Sequence, residues 1–147
     1  MIIQKAQQQH ISQLASNNVL LAKESEGLTI DIATSNAGVK AVVTDQTKGF
    51  YLIALEGKKI VGQLMITYEW SDWRNKQMWW IQSAYVHLQW RQKGVFTQLL
   101  HAVKERAQKD GIFELKLYVH IHNTRAISAY EEMKMQQAPY HIYQSEL

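Results

Sequence analysis

The chain has 147 residues and 46% apolar content, which suits a single domain over residues 1–147 with a core of ordinary size. It contains no Cys, so a disulfide framework, a Cys-based zinc site and a Cys nucleophile are excluded. The net charge of +3 is mild and the basic residues are interspersed with acidic ones, so no nucleic-acid footprint is evident. The N-terminal stretch lacks the apolar core of a signal peptide and no later run could span a bilayer. The expectation is therefore a cytoplasmic protein with neither nucleic-acid nor membrane partners.

The chain opens with a short candidate strand at residues 2–5. From 8 to 25, Ile11, Leu14, Ala15, Leu21 and Ala22 share one helical face, and Gly27 provides a stop. Asn18 lies on that same face, either as a helix-edge polar residue or as part of a pocket wall. A second helix is expected over 34–45, capped by Thr34 or Ser35. Residues 50–55 and 59–68 read as strands joined by Glu56-Gly57-Lys58, a hairpin signal. The first of these is apolar on both sides, as a central strand would be. A polar and aromatic loop, 69–76, leads to a strand over 78–87, which suggests a second hairpin. A basic turn at 91–94 opens a helix with Phe96, Leu99, Leu100, Val103 and Ala107 on one face. Residues 112–119 alternate as a strand, Asn123 caps a last helix, and Pro139 precedes a last strand over 140–144. This pattern predicts an α/β (α+β) fold: a mixed central sheet, antiparallel where hairpins join its strands and parallel across the helix that follows residue 91.

Two constellations could carry chemistry. In the first, Arg91, Gln92 and Lys93 lead into Gly94 at the start of a helix. Gly94 admits close backbone approach, the helix N-terminus favours an anion, and the two cations add to it. Alone, such a turn is more often structural; its position between a two-sided apolar strand and an amphipathic helix raises its significance. It is neither a P-loop nor a dinucleotide fingerprint. In the second, a strand ends, Asn123 opens a helix, and Tyr130 follows two turns later on the face of Asn123, Ala126 and Ile127. The plain alternative makes Asn123 an N-cap and Tyr130 a core aromatic.

Together these stretches resemble the GNAT superfamily of acyl-CoA-dependent N-acetyltransferases. The motif V-x-x-x-x-R-x-x-G-x-G/A is matched by Val86, Arg91, Gly94, Val95 and Phe96, and N-x-x-A-x-x-x-Y-x-x-x-G-F by Asn123, Ala126, Tyr130, Lys134 and Met135. Phe96 departs from Gly or Ala, and Lys134 from Gly. The G-V-F variant and the E-W-S-D-W-R-N loop resemble one subgroup. The resemblance implies a sheet of roughly six to seven strands flanked by four helices. It further implies acetyl transfer from acetyl-CoA to a primary amine of a small molecule or peptide, by direct attack within a ternary complex and without a metal. A non-catalytic acyl-CoA sensor on the same fold is the alternative.

By that resemblance, Arg91, Gln92, Lys93, Gly94, Val95 and Phe96 would hold the pyrophosphate. Tyr85, Val86 and His87 would offer the oxyanion donor and the pantetheine-pairing edge. Asn123 and Ala126 would hold the pantetheine region, and Tyr130 would protonate the leaving thiolate. The general base is harder to place. Gln82 stands where some polyamine-type members carry Glu, and Gln cannot act as a base. Glu69, Glu24 or a water remain, with Glu69 favoured because it ends the strand beside 78–87. Trp70, Trp73, Trp79 and Trp80 near Asp72 could form an aromatic, partly acidic wall for a cationic amine. The same cluster could equally be core or the patch of a homodimer. His120 and His122 lack an obvious third ligand, so a metal role is not expected.

Overall fold

The computed structural model describes all residues, 1–147. Its elements are β1 (Ile2–Lys5), α1 (Ile11–Glu26), α2 (Ile32–Thr44), β2 (Phe50–Glu56), β3 (Lys59–Ser71), β4 (Lys76–Val86), α3 (Val95–Lys109), β5 (Leu115–Leu117) and α4 (Thr124–Glu132). They form one five-stranded sheet in the order β1-β2-β3-β4-β5. The first three pairings are antiparallel and β4–β5 is parallel, with α3 as the crossover between them. No helix is long and apolar enough to cross a membrane.

The sheet is buried on both sides, and the residue pattern explains how. Phe50, Leu52 and Ala54 of β2 face Leu99, Leu100 and Val103 of α3 within one apolar cluster. Tyr51, Ile53 and Leu55 face Leu14 and Ala15 of α1 and Val39 of α2 within another. Alternate residues of one strand thus meet different helices, and that is why β2 is apolar along its whole length. Gly62 of β3 sets how closely α3 can approach: a Cβ there would lie 2.6 Å from Val95 Cγ1. The start of α3 is thereby held directly on the sheet.

Several sequence expectations change. The sheet has five strands rather than six or seven, because residues 140–144 pair with nothing in the chain. β5 is confined to Leu115–Leu117, since β4 diverges from it beyond Ile81. The β3–β4 hairpin runs further than expected, so Glu69 and Trp70 belong to β3 and not to a loop. The cap of α2 is Asp31, whose Oδ2 accepts the Thr34 N–H at 2.8 Å, and not Thr34 or Ser35.

Lys134 ends α4 with φ 64°, in the left-handed region that glycine adopts without steric cost. The turn closes through the Met135 N–H donating to the Tyr130 carbonyl at 3.0 Å. Lys134→Gly relieves the Cβ clash while adding unfolded-state freedom. The expected net gain is about 0.5–1 kcal/mol in urea unfolding; a loss of stability would show that the Lys134 side chain makes a compensating contact.

Candidate active site

The site begins with a defect in the sheet. Gln63 pairs with Tyr85, and Met65 pairs with Gln82, so Ser83 and Ala84 of β4 stand opposite the single residue Leu64. This is a β-bulge, and Ser83 takes the left-handed φ of 50°. Before the bulge, β4 lies between β3 and β5. Past Ile81 the β5 side is open, because the parallel pairing ends at Ile81–Leu117. His87 donates its N–H to the Val61 carbonyl at 3.0 Å, so in an antiparallel ladder Tyr85 and His87 turn their polar groups to β3. Val86, between them, turns its N–H and C=O to the open side.

A cavity of about 640 Å³ fills this gap. Its sheet wall is Ile81, Gln82, Ser83 and Ala84, and the chain after β5 faces it with Tyr118, Val119 and His120. Asn123 and Tyr130 close one end, and α1 and α2 cover another side through Asn18, Leu21, Glu26 and Val39. Asn18 is thus a wall residue, the sharper of its two sequence readings. Asn123 Oδ1 accepts the Ala126 N–H at 3.2 Å, which caps α4 and aims the helix so that Tyr130 reaches the cavity. Burial raises the Tyr130 hydroxyl above its ordinary value, so it keeps its proton at neutral pH. Its ring meets Phe96 edge-on at 5.7 Å, which joins the cavity to the N-terminus of α3.

At that N-terminus, Gln92 and Gly94 both have left-handed φ, 60° and 77°. The backbone N–H groups from Gln92 to Thr97 find no backbone acceptor within the chain. Alternating conformations of this kind form a concave nest of N–H groups, and the helix dipole adds to its positive potential. Lys93 lies over the Trp90 ring, 5.2 Å from its centroid. Arg91 has a different place from the one expected. Its Nε donates to the Val86 carbonyl at 2.8 Å, its guanidinium pairs with Glu24, and it stacks on Tyr85. Arg91 therefore ties the turn to β4 and α1, and its charge is already paired with a carboxylate.

Other expected residues lie elsewhere. Glu24 is engaged by Arg91 and does not line the cavity; Glu26, two positions on along α1, does. Glu69 is outside the cavity as well. One of its oxygens accepts from Trp80 Nε1 at 2.8 Å and the other meets Lys116 Nζ at 3.5 Å. Trp70 and Trp73 are 61% and 96% exposed, and neither they nor Asp72 touch the cavity. Trp79 is core, packed edge-on against Phe50 at 5.3 Å. Gln82 lines the cavity and donates to Thr67 Oγ1 at 2.7 Å. The His120 and His122 rings lie 5.4 Å apart, with no group of three His, Asp or Glu able to hold a metal ion.

The sequence reading missed the group that holds the bulge. Gln63 is fully buried, yet its carboxamide is fully used. Oε1 accepts from Asn17 Nδ2 at 2.9 Å, and Nε2 donates to Asn18 Oδ1 at 2.9 Å and to the Ser83 carbonyl at 3.4 Å. Asn18 Nδ2 in turn donates to the Tyr51 hydroxyl at 3.1 Å. Burial raises Tyr51 above its ordinary pKa, opposed by hydrogen bonds from Asn18 and Ser83. Helix α1, strands β2 and β3 and the bulge are thus linked by one network. Gln63→Leu would leave Asn17 Nδ2 and Asn18 Oδ1 without these partners. The expected loss is about 2–4 kcal/mol of unfolding free energy in urea; a change below about 0.5 kcal/mol would mean that the network does not hold the bulge.

Comparison with known proteins bears on the family and the fold. The acetyltransferase (GNAT) family model matches residues 22–135. A possible acetyltransferase from Clostridium difficile 630 is 39% identical, with TM-score 0.93 over 99% of this chain and 97% of that one. More distant structures share the fold. A predicted acetyltransferase from Clostridium acetobutylicum, solved with acetyl-CoA, is 16% identical (TM-score 0.81, covering 98% and 95%). The ribosomal-protein-alanine N-acetyltransferase of Brucella melitensis biovar Abortus 2308 is 15% identical (TM-score 0.81, covering 99% and 98%). No curated protein matches the chain. The family-model match and the 39% identity over nearly the whole chain establish that it belongs to the GNAT acetyltransferase family.

Proposed function

We propose that the protein is a cytoplasmic N-acetyltransferase that moves the acetyl group of acetyl-CoA to a primary amine of a small molecule or peptide. The observation that carries this reading is the open edge of β4 at the bulge, with Tyr130 at one end of the cavity and the N–H nest of Gln92–Thr97 beyond it. The pyrophosphate sits on the nest, with Lys93 as its nearby cation. The pantetheine arm lies along the open side of β4, as an added strand would. Asn123, in the cavity wall, donates to it through Nδ2, while Ala126 and Phe96 shape the passage.

The amine enters from the side covered by α1 and α2. A free alkylamine has a pKa of about 10, so it must lose a proton before or during attack. Glu26 is the carboxylate in the cavity wall and takes that proton, directly or through water. His120 is less suited to the task. Its Nδ1 accepts the His122 N–H at 3.2 Å, so the neutral ring carries its proton on Nε2. The amine nitrogen attacks the thioester carbonyl carbon, and the Val86 N–H receives the developing oxyanion. The C–S bond then breaks, and the departing sulfur takes the Tyr130 proton. The products are an amide and free coenzyme A.

Thiol release measured with a panel of primary amines tests the reaction, and turnover with at least one of them is expected. Tyr130→Phe should lower kcat by about 10–100-fold. The sign of the pH effect follows from burial: Tyr130 titrates above its ordinary value, so its proton is present at neutral pH and is lost only under strongly alkaline conditions. An alkaline fall in kcat assigned to Tyr130 should disappear in the Phe variant. An unchanged rate and alkaline profile would remove Tyr130 from the proton-donor role.

A further inference from the structure

The helix side of the cavity offers a ligand hydrocarbon and little else. Leu21 and Ala22 of α1, Ile30 between the two helices, Val39 and Val42 of α2 and Met65 of β3 supply its apolar surface. The polar side chains among them are already committed within the protein. Ser25 Oγ donates to the Leu21 carbonyl at 2.7 Å, and Ser35 Oγ donates to the Ala15 carbonyl at 3.1 Å. Asn18 Nδ2 donates to the Tyr51 hydroxyl while Asn18 Oδ1 accepts from Gln63 Nε2, so both ends of that carboxamide are used.

Charge is just as sparse. Glu26 is the only carboxylate that lines the cavity, and no Lys or Arg lines it. Arg91, which ties the turn to α1, is paired with Glu24 and is not a lining residue. A ligand with a second ammonium would therefore leave that charge without a carboxylate. A ligand with a carboxylate beside its amine would leave it without a cation, in a cavity whose one acidic side chain repels it. In both cases a charge is withdrawn from water without compensation. The N–H and C=O groups of a peptide meet the same difficulty against a wall whose own polar groups are spent.

We propose that the acceptor is a monoamine with an apolar body and no carboxylate, an alkylamine or arylalkylamine, selected by Leu21, Ile30, Val39 and Val42. This assignment rests on the acetyl-transfer reading and narrows it. Polyamines, amino acids and peptide N-termini are then poor acceptors, rejected by missing partners and not by size.

Thiol release from acetyl-CoA, read as kcat/KM for matched amines, tests it. Phenethylamine and phenylalanine differ by one carboxylate, and the former should be better by at least about 100-fold. Hexylamine and hexamethylenediamine differ by one ammonium, and the former should be better by at least about 10-fold. From propylamine to hexylamine the value should rise about threefold per methylene. Ile30→Arg, at a partly exposed position outside both helices, places a cation in the wall and should shift the phenylalanine-to-phenethylamine ratio upward by about 10-fold or more. Equal or faster turnover of the doubly charged member of either pair would overturn the proposal. So would a flat alkylamine series, or an unmoved ratio in an Ile30→Arg chain with native circular dichroism. Turnover of spermidine or a peptide amine alone would overturn this assignment and leave acetyl transfer standing. Silence with every amine, those two included, would remove acetyl transfer and the acceptor together.

Discussion

The structure depends on the register shift at Ser83. A regular β4 would stay paired with β5 and leave no room for a ligand between them. Placing Ser83 and Ala84 opposite Leu64 bends the strand and turns Val86 toward the open side. A left-handed φ at a serine is unfavourable by itself, so it must be fixed by its surroundings. Gln63 supplies that constraint, through a carboxamide satisfied on both sides and buried where water cannot compete.

Around that bulge the chain divides its tasks by physical type. The apolar clusters on the two sheet faces fix where the helices lie, and Gly62 lets α3 sit close enough for its N-terminus to follow β4 without a long loop. Arg91 holds the turn in place through the Val86 carbonyl and Glu24. With that arginine paired to a carboxylate, the groups left free at the turn are the backbone N–H groups and Lys93. A nest of N–H groups gives directed hydrogen bonds without the ordering cost of several long side chains.

Much of this was legible in the sequence, and the limits have identifiable causes. The strand–turn–helix unit around Gly94, the two hairpins, and Asn123 with Tyr130 are local patterns, and each takes its expected place. The Gln63 network was not legible. Gln63 is separated from Asn17 by 46 positions, and a polar residue inside an apolar strand carries no sign of which distant partner satisfies it. Glu24 was a candidate and Glu26 was not; the two differ by about half a helical turn, and which of them faces the cavity is set by the helix phase against the sheet. A binding wall at Trp70–Trp73, one of the readings open for that cluster, requires the hairpin to end near residue 68; β3 runs to Ser71 and carries both residues beyond the cavity. The expected last strand at 140–144 does not form, because alternation within the segment cannot supply a neighbour and nothing in the chain pairs with it.

The central claim is that the opening made by the bulge, together with the nest at Gln92–Thr97, is a coenzyme A site. Isothermal titration of the native chain with acetyl-CoA tests it most directly, with Gly94→Pro compared alongside. The account predicts saturable one-site binding with a Kd of the order of micromolar, weakened by a factor of about 10 or more in the variant, whose left-handed turn proline cannot adopt. No binding by the native chain at millimolar acetyl-CoA, or equal affinity in a correctly folded Gly94→Pro chain, would contradict it.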